Sequence, residues 1–117
     1  MSINMNSRAI NFTVKVGARS TLQLSIKNND GTAKNLTNDT TYSTGKWKVW
    51  KPNGTLLING TIVFTTRATG IVSYTLVAAD TVIANVGIWE GEVELKDTSG
   101  VISEQTQSFN FSIEESY

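Results

Sequence analysis

Trp89-Glu90-Gly91-Glu92-Val93-Glu94-Leu95-Lys96 is the stretch on which the reading of the fold turns. Trp89, Gly91, Val93 and Leu95 share one parity, while Glu90, Glu92, Glu94 and Lys96 share the other. A two-residue period places one set on a core and the other in water, the pattern of a half-buried β-strand. Working back along the chain, Ile71-Val72-Ser73-Tyr74-Thr75-Leu76 sets Val72, Tyr74 and Leu76 on one face. Ile10 to Val16 and Thr21 to Lys27 repeat the alternation, and Trp47 and Val49 alternate with Lys46 and Lys48. Forward, Asp97-Thr98-Ser99-Gly100 reverses the chain into a long final strand ending Phe109-Asn110-Phe111-Ser112-Ile113.

Turn chemistry separates these runs. Asp30-Gly31 and Lys51-Pro52-Asn53-Gly54 supply the positive φ and the preset φ that tight turns need. Asn59-Gly60 between Leu56-Leu57-Ile58 and Thr61-Ile62-Val63-Phe64-Thr65 reads as a second hairpin turn, and Arg67 to Gly70 as a third. Thr32 to Gly45 is a polar connection anchored by Leu36. Between Ala78 and Val86, Asp80 is placed to cap one short helical turn through Thr81, Val82 and Ile83. The fold expected is all-β, an immunoglobulin-like antiparallel β-sandwich of seven to eight strands with at most one helical turn near 79–84. Met1 to Arg8 reads as a flexible N-terminal arm, and 9–117 as one domain, in keeping with a length of 117 residues.

Composition narrows the function. Cysteine and histidine are both absent, which removes disulfides, thiolate metal sites and the commonest general base. Ten basic and ten acidic residues cancel, so the excess positive charge of a nucleic-acid binder is missing. No run approaches the roughly 20 apolar residues of a membrane span. The expectation is a non-enzymatic protein with no cofactor and no metal, bound to neither nucleic acid nor membrane. The charge is nonetheless divided: nine basic residues face two acidic ones up to Gly70, and Lys96 alone faces eight acidic ones thereafter. Either neighbouring strands pair opposite charges, or a bipolar surface guides assembly.

Glu90, Glu92 and Glu94 are the densest carboxylates, and pairs of carboxylates can serve glycoside hydrolysis or calcium binding. Their spacing instead lays all three along the solvent face of one strand, balanced by Lys46 and Lys48 if the Trp47 strand lies beside it. Trp47 and Trp89 have inward parity. Trp50 has the opposite parity and is the indole expected to be exposed. Trp50, Lys46, Lys48, Glu90, Glu92 and Glu94 together form the candidate interaction surface.

Three stretches, taken in order, carry a family likeness: Lys27-Asn28-Asn29-Asp30-Gly31-Thr32-Ala33-Lys34-Asn35-Leu36-Thr37; Trp47-Lys48-Val49-Trp50-Lys51-Pro52-Asn53-Gly54; and Ala68 to Leu76 followed by Gly87 to Leu95, then Asp97, Gly100 and Phe109-Asn110-Phe111. The chain resembles the N-terminal domain of phage baseplate upper proteins, scaffolds that attach receptor-binding proteins to siphophage tails. The resemblance implies a virion structural module, made in the host cytoplasm, whose partners are other virion proteins or copies of itself in a homo-oligomer. A carbohydrate-binding or adhesive module using Trp50 is the alternative.

Overall fold

The alternating runs assemble into two packed sheets in the computed structural model, which describes residues 11–106 and 108–115. The arm expected over 1–8 lies outside the described residues. Nine strands follow one another: β1 Asn11–Lys15, β2 Thr21–Ser25, β3 Thr44–Trp50, β4 Leu56–Thr61, β5 Val63–Thr66, β6 Ile71–Thr75, β7 Gly87–Lys96, β8 Ile102–Gln105 and β9 Phe109–Glu114. The larger sheet runs β1-β9-β7-β3-β4, with β8 also paired to β7, and the smaller runs β2-β6-β5. Every pairing is antiparallel except β1 with β9.

The sandwich is the immunoglobulin-like one expected. β9-β7-β3 and β2-β6-β5 take the places of the G-F-C and B-E-D strands of that fold, with β4 added beside β3 and β1 set beside β9. The count exceeds eight because the long final strand divides. β8 pairs with the C-terminal half of β7 and β9 with its N-terminal half, and between them Thr106 N–H bonds Val93 O while its hydroxyl accepts Val93 N–H, both at 2.9 Å.

Inward-facing side chains meet around Trp47, which is 0% exposed. Its ring lies 4.9 Å from Phe109, 5.2 Å from Phe12 and 6.0 Å from Tyr74, the last stacked at 21°. Trp47 Nε1 has no hydrogen-bond partner in the structure described, so area and ring contacts alone place the indole. Leu36, the single large aliphatic of the 32–45 connection, is fully buried. Arg67 holds that connection by donating from one nitrogen to Leu36 O at 3.1 Å and Tyr42 O at 2.7 Å, with its guanidinium 3.9 Å from the Phe64 centroid.

Two local expectations are corrected. Asn59-Gly60 is not a hairpin turn: both residues lie inside β4, paired with Lys48 and Trp47. A methyl group on Gly60 would sit 2.5 Å from Tyr74 Cζ, so the glycine is there to let the tyrosine ring approach the strand. The chain then changes sheets at buried Ile62 and enters β5. The hairpin joining β3 to β4 is the one at Lys51-Pro52-Asn53-Gly54, where Gly54 has φ of 88° and Lys51 and Thr55 are bonded at 2.8 Å.

The second correction concerns Asp80, which caps no following turn. It is the third residue of a single 3-10 turn over Ala78–Thr81, and another turn covers Ile83–Asn85. Its carboxylate faces backward, accepting the Tyr74 hydroxyl at 2.6 Å and Val77 N–H at 2.9 Å. Burial and this acceptor push the Tyr74 phenol well above the usual tyrosine range.

Candidate functional site

The six residues of the candidate surface converge because β3 and β7 are neighbours. Opposite one another across that pair stand Lys46 and Glu94, Lys48 and Glu92, and Trp50 and Glu90. All point away from the core, since Trp47, Val49, Gly91 and Val93 occupy the inner parity and are buried. The lysines and glutamates therefore meet as expected, but not rung by rung. Lys48 reaches diagonally to Glu94 at 2.9 Å, and Lys46 donates to Thr61 Oγ1 on β4 at 2.9 Å instead.

The even exposure expected of the three glutamates is also corrected. Glu90 is exposed, Glu92 is half-buried and Glu94 is only 6% exposed. Gln105 on β8 covers the pair, donating to Glu92 Oε1 and Glu94 Oε2 at 3.3 Å each. Partial burial, with the Glu94 charge adding to it, raises the Glu92 carboxyl above its ordinary value against a lowering by Lys48. A buried carboxylate held by an ammonium and an amide fixes the register of three strands.

The tryptophans also depart from their expected places. Trp50 has the outward parity assigned to it but is half-buried rather than exposed, and its indole N–H has no hydrogen-bond partner among the described residues. Trp89 is half-buried too: it packs at the rim of the core, donates Nε1–H to Asn85 O at 2.8 Å and lies under Lys51 Nζ at 5.3 Å. β3 ends at Trp50, three residues short of the start of β7 at Gly87, so Trp89 lacks a flanking strand on that side.

Large apolar side chains around this surface escaped the sequence reading. Ile88 has the outward parity of Glu90 and is 72% exposed. It lies one diagonal step from Trp50, and Leu56, paired with Trp50 across β3 and β4, is also exposed. Val82 and Ile83, the latter 68% exposed, lie in the segment leading into β7. Ile88 also lines a groove, with Lys15, Val86, Gly87, Ile113 and Glu114. The available signal was an isoleucine at the solvent parity of β7, which a buried-or-not reading of alternation passes over. Among the described residues, no group of three or more Asp or Glu side chains is arranged to hold a metal ion, and no helix is long and apolar enough to cross a membrane.

No protein-family model and no curated protein matches the chain. Among solved structures it is similar to the N-terminal domain of phage TP901-1 ORF48, with a TM-score of 0.68 at 14% identity over 87% of this chain and 82% of that one. CopC from Methylosinus trichosporium OB3b gives a TM-score of 0.48 at 10% identity, covering 90% of this chain and 86% of that one. The Clostridium thermocellum CbhA fibronectin(III)-like modules give 0.45 at 14% identity, covering 96% and 95%. The first likeness is one of fold, and it falls on the N-terminal domain of a phage protein, as the sequence resemblance implies.

Proposed function

We propose that the protein is a non-enzymatic virion structural module that attaches one phage component to another. The observation that carries this reading is the fold shared with the N-terminal domain of phage TP901-1 ORF48 along most of both chains. The exposed apolar residues beside Trp50 support attachment as the role. Ile88 and Leu56 are costly to leave in water, and a tryptophan flanked by aliphatics and rimmed by charge has the make-up of a protein-binding hot spot. Lys48, Glu90 and Lys46 form that rim.

Cross-linking of the purified protein to dissociated tail and capsid components tests the reading. Trp50→Ala and Ile88→Asp should each remove the cross-link while leaving the fold intact. A protein that captures no virion component at tens of micromolar would refute it. The carbohydrate reading is favoured by one observation, the unpartnered Trp50 indole in register with Glu90 and, across β7, with Asn110 on β9. A glycan array with wild type and Trp50→Ala decides it.

A further inference from the structure

In immunoglobulin-like sheets of the A-B-E-D type, a first strand lies beside B. Here β2 takes the B position, while β1 is bonded to β9 in the opposite sheet. The outer side of β2 from Thr21 to Ser25 consequently has no strand beside it among the described residues. The edge is bounded rather than continuous. At its far end Lys34 N–H bonds Ile26 O at 3.0 Å, and at its near end the Gly17–Ala18 corner is held by the buried Thr81 hydroxyl.

Within those bounds β2 carries none of the devices that usually close an edge. Thr-Leu-Gln-Leu-Ser has no charge and no proline, and it pairs with β6 in unbroken register without a bulge. Its exposed Thr21, Gln23 and Ser25 alternate with half-buried Leu22 and buried Leu24. β1 and β2 are joined by residues 16–20 alone, so both sheet edges open on the same side. Between them Phe12, Val16 and Leu22 are only half-buried against the core. An added strand would find main-chain partners along β2 and an apolar seam for its inward side chains.

Charge selects the occupant. Arg19 and Lys27 flank the edge, both exposed and neither with an ion-pair partner among the described residues. A second copy of this chain paired antiparallel about Gln23 would set Arg19 against Lys27 at both ends, so like charges oppose self-pairing. We infer that the open edge of β2 is a β-augmentation site for an extended segment of a partner protein, alternating apolar and polar residues and acidic at both ends. The inference rests on the attachment reading and adds to the Trp50 and Ile88 surface of the larger sheet a second contact, at the edge of the smaller one.

The test is titration of the isotopically labelled full chain with two synthetic nine-residue peptides, each with a Val-Thr alternating centre, one ended by glutamates and the other by lysines. The acidic peptide should shift the backbone amides of 21–25 and bind roughly five- to tenfold tighter at low salt than the basic one, an advantage that salt erodes. Arg19→Glu combined with Lys27→Glu, both at exposed positions, should invert the preference. Shifts elsewhere, equal binding of both peptides, or binding that appears only after residues 1–10 are deleted would overturn the inference. A double reversal that costs the protein no virion cross-link, whether or not that cross-link depends on Trp50 and Ile88, would also overturn the edge as a contact while leaving the proposed function standing.

Discussion

Gly60→Ala is the most revealing single perturbation, because two readings of the Asn59-Gly60 pair give different reasons for its cost. In the structure Gly60 is a strand residue opposite Trp47, and an added methyl lands on the Tyr74 ring, 2.5 Å from Cζ. The ring cannot swing away cheaply, since it stacks on Trp47 and its hydroxyl is fastened to Asp80 at 2.6 Å. Overpacking of this kind costs about 1–3 kcal/mol, which for a domain of this size lowers Tm by roughly 4–12 °C. Urea denaturation followed by tryptophan fluorescence measures the change. The decisive arm is a double-mutant cycle with Tyr74→Leu, which removes the ring atoms the methyl strikes. On that background Gly60→Ala should cost less than about 0.5 kcal/mol, leaving a coupling of about 0.5–3 kcal/mol. A turn glycine would cost the same on either background, and equal costs would refute the strand assignment of Gly60.

Three further outcomes are expected. Lys48→Met leaves the nearly buried Glu94 carboxylate with Gln105 alone and should cost about 1–3 kcal/mol; Lys48→Met with Glu94→Leu should recover most of it in the same denaturation assay. Because Glu92 has a raised carboxyl in the fold, the native state holds its proton more tightly than the unfolded chain. Its contribution is therefore most favourable below the ordinary glutamate range and is lost as pH rises through the raised value. Glu92→Gln should accordingly stabilise the protein at neutral pH and lose that advantage in acid, as read from denaturation midpoints against pH. Arg67→Leu strips the bonds to Leu36 and Tyr42 carbonyls and should cost about 2–3 kcal/mol, with amide exchange accelerated chiefly over 34–43.

Legibility followed the range of the interactions. β6 and β7 were legible because each alternates over enough residues to separate a buried from a wet face, and the inward set of Val72, Tyr74, Leu76, Val93 and Leu95 is buried as read. Lys51-Pro52-Asn53-Gly54 was legible because turn chemistry acts within four residues. Asn59-Gly60 misled for the same reason: its local signal is a turn, and what overrides it is Tyr74, distant in sequence and on the opposite sheet. Asp80 carries a capping residue's signature, yet a phenol six positions back and its own turn's backbone claim the carboxylate. In the candidate surface, parity separated the outward side chains from the core, whereas their unequal burial came from β8 folding Gln105 over Glu92 and Glu94.

Alternation, turn residues and the absence of cysteine and histidine by themselves determine a two-faced all-β chain built on apolar packing. Those properties depend on side-chain period and chemistry, which are local. Which strands became neighbours was decided only in three dimensions. β1 crossed to β9 and left the edge of β2 open, β3 settled beside β7 and brought Lys48 to Glu94, and β3 stopped short of the β7 start where Ile88 remains in water. Alternation assigns a face but not a partner, and every feature proposed for attachment is a consequence of partners.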